Sequence, residues 1–345
     1  MSEVIFTACF IVAILFLLFM DLGVFHKKDH VVTFKESAMW TGIWVTLAIL
    51  FFFFIRWHGE IIHDVHTPER LAEVNELHGH NLDFAETASF EDNLKQYNRN
   101  LSLEYITGYL IEESLSIDNI FVMIMIFMAF GVDRLYYHRV LFYGILGAII
   151  LRFIFIFAAG ALIQKFHWLL YVFGVILIFS GVKMFLERNK KETIDVENHP
   201  VVKFLSKRKL STPNFDGHNF FSKIDGRWLC TPLFVVLLII EFSDIIFAFD
   251  SVPAIFTITQ DPFIVFFSNL FAILGLRSLF FMFESIMDKF RFLKIGLSVL
   301  LTFIGAKMLL PIHIGTVGSL AAIASILGVS VIASLLFPEK KSVTE

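Results

Sequence analysis

Charge is scarce in this chain. Of its 345 residues 17% are Asp, Glu, Lys or Arg while 57% are apolar, and mean hydropathy is +0.74. A soluble domain carries about a quarter charged residues, so this composition excludes one and predicts an all-α polytopic membrane protein. Basic residues do not outnumber acidic ones; the net charge of −4 removes the electrostatic footing for a nucleic-acid partner. Cysteine is nearly absent. Cys9 and Cys230 stand in separate apolar segments and read as small buried hydrophobes, with no disulfide framework. The first apolar run has no basic segment before it and no small-residue cleavage site after it, so a retained span is expected rather than a signal peptide. Neither polar segment holds a Gly-rich phosphate loop, so neither ATP use, nor enzymatic activity, nor a resident cofactor is expected.

What is abundant is apolar sequence of membrane-crossing length. Nine spans are expected: Val4–Met20, Ala38–Ile55, Leu103–Phe130, Val140–Leu162, Trp168–Leu186, Trp228–Phe249, Pro262–Phe283, Leu293–Leu310 and Gly315–Leu336. They divide the chain into two N-terminal helices (1–55), a His-containing loop (56–102), a three-span unit (103–186), a basic loop (187–227), a second three-span unit (228–310) and a last helix with its tail (311–345). Trp40 and Trp44 read as interfacial anchors. His58, His63, His66, His78 and His80 fall in the first polar segment. Their loose spacing fits no structural zinc pattern, so that segment reads as a solvated loop, with weak metal capture as the alternative. Most Lys and Arg, KFLSKRK among them, fall on one side if the N-terminus is outside and the C-terminus in the cytoplasm.

Two acidic stretches interrupt the apolar sequence. LIEESLSIDNIFV at Leu110–Val122 carries Glu112, Glu113, Asp118 and Asn119, and IEFSDIIFAFDSVPAI at Ile240–Ile255 carries Glu241, Asp244, Asp250 and Ser251. Charge at membrane depth is costly and marks an ion path, a relay or a paired site. In each stretch two acids stand six positions apart, Glu112 with Asp118 and Asp244 with Asp250. Six positions leave side chains about 120° apart on a straight helix, so Ser251-Val-Pro253 is expected to break the sixth span and bare carbonyls beside Asp250. Carboxylate, amide and carbonyl oxygens suit hard cations such as Mn²⁺, Mg²⁺ or Ca²⁺, and the lack of thiolate counts against Cu(I). Met123, Met125 and Met128 follow the first stretch and read as packing. Arg152 and Arg277, near the middle of their spans, read as counter-charges, the alternative being an anion site.

The chain also repeats itself. Ile117-Asp-Asn echoes Phe249-Asp-Ser, Gly144–Gly147 echoes Ala272–Gly275, and Gly181–Met184 echoes Gly305–Met308, at offsets of 132, 128 and 124 residues. Three spans per unit invert the second unit relative to the first, an arrangement typical of transporters with a site near midplane.

LIEESLSIDNIFV, RVLFYGILGAIILR with FSGVKM, and IEFSDIIFAFDSVPAIFTITQDPFIVFFSNLFAILGLR closely resemble the TerC/Alx family, over about residues 1–336. The resemblance implies two inverted three-helix units in a bacterial inner membrane, exporting Mn²⁺ or a related divalent metal, with tellurium resistance as the family's naming context. By motif match the family's membrane acids fall on Glu113, Asp118 and Asn119, then on Glu241, Asp244 and Asp250, with Ser251, Asn269 and Arg277 close by. The position after the first Glu of LIExSL is often non-acidic in the family, which makes Glu112 the motif carboxylate and Glu113 an extra charge. The His-bearing segment is longer than the family leads one to expect. The expected roles are Asp118 and Asp250 as central ligands, Glu112 and Asp244 assisting, Glu241 carrying the proton, and Asn119 and Ser251 supplying neutral oxygens. Oxyanion handling through Arg152 and Arg277, or a non-transporting partner in metal homeostasis, are the alternatives.

Overall fold

The computed structural model describes residues 6, 8–14, 16, 17, 32–80, 82–85, 88–166, 168–187, 199–208, 210–212, 214–224, 226–286, 292–310 and 316–337. The described residues between 6 and 17 are helical. Parts of the first expected span, the HKKDH stretch and the C-terminal tail lie outside the described residues. The elements that follow are α1 (Phe34–His58), a 3-10 turn (Gly59–Ile61), α2 (Pro68–Leu77), α3 (Phe90–Ala129), α4 (Arg134–Lys165), α5 (Leu169–Glu187) and α6 (Pro200–Lys207). After them come the hairpin β1 (Phe221–Ile224) and β2 (Arg227–Cys230), then α7 (Pro232–Phe256), α8 (Pro262–Ile286), α9 (Leu293–Leu309) and α10 (Thr316–Leu336). The chain is an all-α polytopic membrane protein.

Six of these helices, α1, α4, α5, α7, α8 and α10, are long and apolar enough to cross a membrane. Two further expected spans are helical but fall short for identifiable reasons. Glu112, Glu113 and Asp118 break the apolar half of α3, and α9 is apolar but only 17 residues long. Local chemistry sets the starts. Thr33, Thr67, Ser89 and Asp133 each accept a backbone N–H from two or three residues on, satisfying a donor the helix leaves orphaned. Pro68 and Pro232 occupy the first helical position, where no N–H is needed.

The packing brings the two three-helix units against each other. α3 packs on α8 and α4 packs on α7, an exchange of first and second helices between units, while α5 lies against α9. That last seam is made of glycine: a β-carbon on Gly305 would stand 2.7 Å from the Gly174 carbonyl oxygen, and one on Gly181 2.7 Å from that of Ser298. The GVKM and GAKM glycines thus let two backbones touch. α8 is almost wholly buried and is the centre of the bundle. Around it Phe10, Phe51, Tyr105, Phe267 and Phe271 form a ring cluster with centroids 4.6–6.0 Å apart. Exposed Val175, Phe179, Val329, Ile332 and Leu335 turn outward on α5 and α10, as lipid-facing residues do.

The structure corrects four expectations. The helix that carries span three begins earlier than the expected span, because Ser89 caps a helix whose first turns are polar and bury Tyr97 and Leu101. The helix α7 runs through Pro253 to Phe256 instead of breaking at Ser251; a proline in the last turn removes only the bond to the Phe249 carbonyl, and its fixed φ suits a helix. Trp44 is buried beside Gly275 of α8 rather than anchored at an interface. The His segment is not a solvated loop: it holds α2 and the start of α3, and His63, His78 and His80 are buried.

Candidate cation site in the membrane helices

Arg152, on α4, is the largest fully buried side chain among the described residues. Its guanidinium forks onto Asp244 of α7, Nε donating to Oδ2 at 3.2 Å and Nη2 to Oδ1 at 2.9 Å. Nη1 donates to Asn269 Oδ1 of α8 at 2.8 Å and pairs with the Glu112 carboxylate of α3. Asn269 is itself held by its Nδ2 donating to the Val265 carbonyl at 3.0 Å. Four helices from both units therefore meet on one planar cation. A bidentate, delocalised guanidinium is the side chain best suited to so many oxygen partners in a dry interior.

The remaining acids of the two stretches have contacts of their own. Asp250 accepts a hydrogen bond from Ser180 Oγ of α5 at 2.9 Å. Glu241 lies over Gly147, where any β-carbon would collide with its carboxylate. Glu113 lies over Gly275, with Oε1 4.0 Å from the position a β-carbon would take. The two glycines end the repeated GILG and AILG motifs; at Gly147 the missing side chain makes room for Glu241, whereas a β-carbon on Gly275 would only touch Glu113. Asp118 is half-buried on α3, while Asn119 and Ser251 are buried on α3 and α7.

The expected site residues are thus sorted by the structure. Glu112, Asp244, Asn269 and Arg152 are brought together. Arg277 Nη1 is 3.2 Å from His138 Nδ1 near the start of α4. Ser180 was not anticipated; its one sequence cue is that it precedes the repeated Gly181 motif. Carboxylate and amide oxygens at this centre, and the carboxylate and hydroxyl of Asp250 and Ser180, are the donor types that suit a hard cation.

A second buried polar group lies where α1, α2 and α3 meet the turn before α8. His63 Nε2 is 2.7 Å from Asp261 Oδ2, and His80 Nδ1 is 3.0 Å from Glu104 Oε1. Burial alone would raise the Asp261 carboxyl, but the charge and hydrogen bond of His63, with His78 and His80 behind it, hold it well below the usual carboxylate range. Burial would likewise lower His80, but Glu104 outweighs it and raises that imidazole above its ordinary value. Asp261 sits in an Asp-Pro turn and gave no sequence signal beyond its place before a span.

The TerC model, described as the integral membrane protein TerC family, matches residues 97–342. An uncharacterized membrane protein of Myxococcus xanthus is 46% identical over 331 residues, covering 95% of this chain and 91% of its own. Proteins named as candidate membrane-bound redox modulators, Alx, are 41% identical over 326 residues in Photorhabdus laumondii and 39% in Escherichia coli K12. The first alignment covers 94% of this chain and 92% of the relative, the second 92% and 90%. No solved structure matches the chain. Sequence motifs, membrane helices and relatives agree, and the chain belongs to the TerC family of integral membrane proteins.

Proposed function

We propose that this protein carries divalent cations, Mn²⁺ first among them, out of the cytoplasm in exchange for protons. One observation carries the reading: Glu112 and Asp244, acids from the two three-helix units, meet beside the Asn269 amide oxygen with one fully buried guanidinium between them. Six acids in the two stretches against the buried Arg152 and Arg277 leave a surplus of negative charge, which a permeating cation would satisfy.

In this scheme Arg152 holds Glu112 and Asp244 between transport events. Asp118 and Asp250 take the cation, Ser180 orienting Asp250, with Asn119 and Ser251 as neutral oxygen donors. Glu241, housed over Gly147, carries the proton. Nothing in the scheme calls for covalent catalysis or a resident cofactor. The N-terminus lies outside and the C-terminus in the cytoplasm of a bacterial inner membrane.

The test is metal flux in proteoliposomes of the full chain, across Mn²⁺, Ca²⁺, Fe²⁺ and Zn²⁺, with and without a pH gradient. Mn²⁺ movement should respond to the gradient and fall to background in Asp118→Asn and Asp250→Asn proteins that insert normally. Undiminished Mn²⁺ flux in both variants, or no flux of any metal with the unaltered protein, would overturn the proposal.

A further inference from the structure

The buried His63, His78 and Asp261 bear on a different site from the membrane acids. Each offers one ligand atom, and all three atoms lie within 4.8 Å of one another. Three segments distant in sequence supply them: the turn after α1, the end of α2 and the residue before α8. The His63 and Asp261 side chains are 0% exposed, and His78 is 5% exposed. Imidazoles and carboxylates are seldom buried this completely unless they are paired or ligate a metal.

The surroundings hold these groups in place. Asp261 Oδ1 accepts the Phe263 N–H at 2.9 Å and caps α8, which fixes the carboxylate and points Oδ2 at His63. Arg70 Nε donates to the His63 carbonyl at 3.3 Å, and Asp64 turns the chain immediately after it at φ 54°. Asn75 grips Leu82 through two hydrogen bonds of 3.1 Å, closing the loop that carries His78 and His80. Gly79, at φ 61°, brings that loop onto Gln260, where a β-carbon would stand 3.3 Å from the Gln260 side chain. The ring centroids of His63 and His78 are 4.8 Å apart, and those of His78 and His80 6.0 Å. Glu104 orients His80 through Nδ1, while its Nε2 has no hydrogen-bond partner among the described residues.

We propose that His63, His78 and Asp261 bind one divalent transition-metal ion of the zinc class, clamping the outer segment onto the start of α8. Two imidazole nitrogens and one carboxylate oxygen are borderline donors that favour Zn²⁺ over Mg²⁺ or Ca²⁺, and three protein ligands leave a fourth position for water. His80, oriented by a carboxylate, stands as the group to hydrogen-bond that water. This ion is resident and separate from any transported cation, since its ligands share no residue with the membrane acids.

The experiment uses full-length protein in detergent, stripped with chelator and dialysed against Zn²⁺, with bound metal measured by elemental analysis and Co²⁺ read by visible absorption. One Zn²⁺ per chain is expected, with a tetrahedral Co²⁺ spectrum. His78→Gln should weaken binding at least about 100-fold, since even outer-shell changes at metal sites cost 10–100-fold. His58→Gln/His66→Gln, at exposed histidines, should keep it, as should Asp118→Asn/Asp250→Asn, which separates this site from the transport reading. Failure of the unaltered protein to retain Zn²⁺ overturns the proposal whatever the variants do. Equal stoichiometry in His63→Gln and His78→Gln proteins overturns it as well.

Discussion

Replacing Arg152 by methionine is the sharpest test of the membrane centre. Methionine keeps an unbranched apolar stem but removes a cation that contacts Asp244 twice, Asn269 once and the Glu112 carboxylate. Two carboxylates then remain at membrane depth with that guanidinium gone. Breaking a buried ion pair from one side costs about 3–5 kcal/mol, so Arg152→Met should lower stability by roughly that amount. Asp244→Asn leaves Arg152 with Glu112 and Asn269, and should cost about 1–3 kcal/mol, the value of a charged hydrogen bond left half-made. The double variant removes cation and anion together. It should be less destabilised than the sum of the singles by about 0.5–3 kcal/mol, the range for residues in one network. Reversible unfolding in bilayers or mixed micelles measures all four proteins. Arg152→Lys is an informative control, because one ammonium cannot reproduce the fork and the Asn269 bond together. Additivity of Arg152→Met and Asp244→Asn within about 0.5 kcal/mol would refute the idea that these groups form one neutralised unit.

Other outcomes follow from neighbouring contacts. Gly305→Ala drives a β-carbon onto the Gly174 carbonyl and the Ile178 amide, 2.7 and 2.9 Å away, so α5 and α9 must separate and thermal stability should fall. Gly147→Ala meets the carboxylate end of the Glu241 side chain first; the protein should stay folded while flux drops, and normal flux would remove Glu241 from the pathway. Ser180→Ala deletes the hydroxyl that donates to Asp250 at 2.9 Å, and should cost about 0.5–1.5 kcal/mol with a measurable change in the cation concentration for half-maximal flux.

The membrane class and the acidic stretches are readable from composition and from charges that have no other reason to sit in apolar sequence. The meeting of Arg152 with Asp244, 92 positions apart, depends on how α4 packs on α7, which no local pattern encodes. Pro253 misled because a proline signals a break only where the helix has bonds left to lose; in a last turn it has few. The histidines misled through spacing: His63, His78 and Asp261 are far apart in sequence, and linear ligand patterns describe only sites built from one short segment. Beyond its place before the Gly181 motif Ser180 stood out little, because a serine in an apolar helix ordinarily satisfies itself on its own backbone.

The helix α3 is 40 residues long, about 60 Å at 1.5 Å per residue, twice the roughly 30 Å of a bilayer's hydrocarbon core. It is one unbroken rod. Glu104, which holds His80, and Asp118 are therefore the two ends of a stiff arm about 21 Å long. A rigid arm cannot tilt at one end alone. A swing of the arm about any point other than its Glu104 end moves Glu104 against the histidine segment as it moves Asp118, which couples that segment mechanically to the membrane centre.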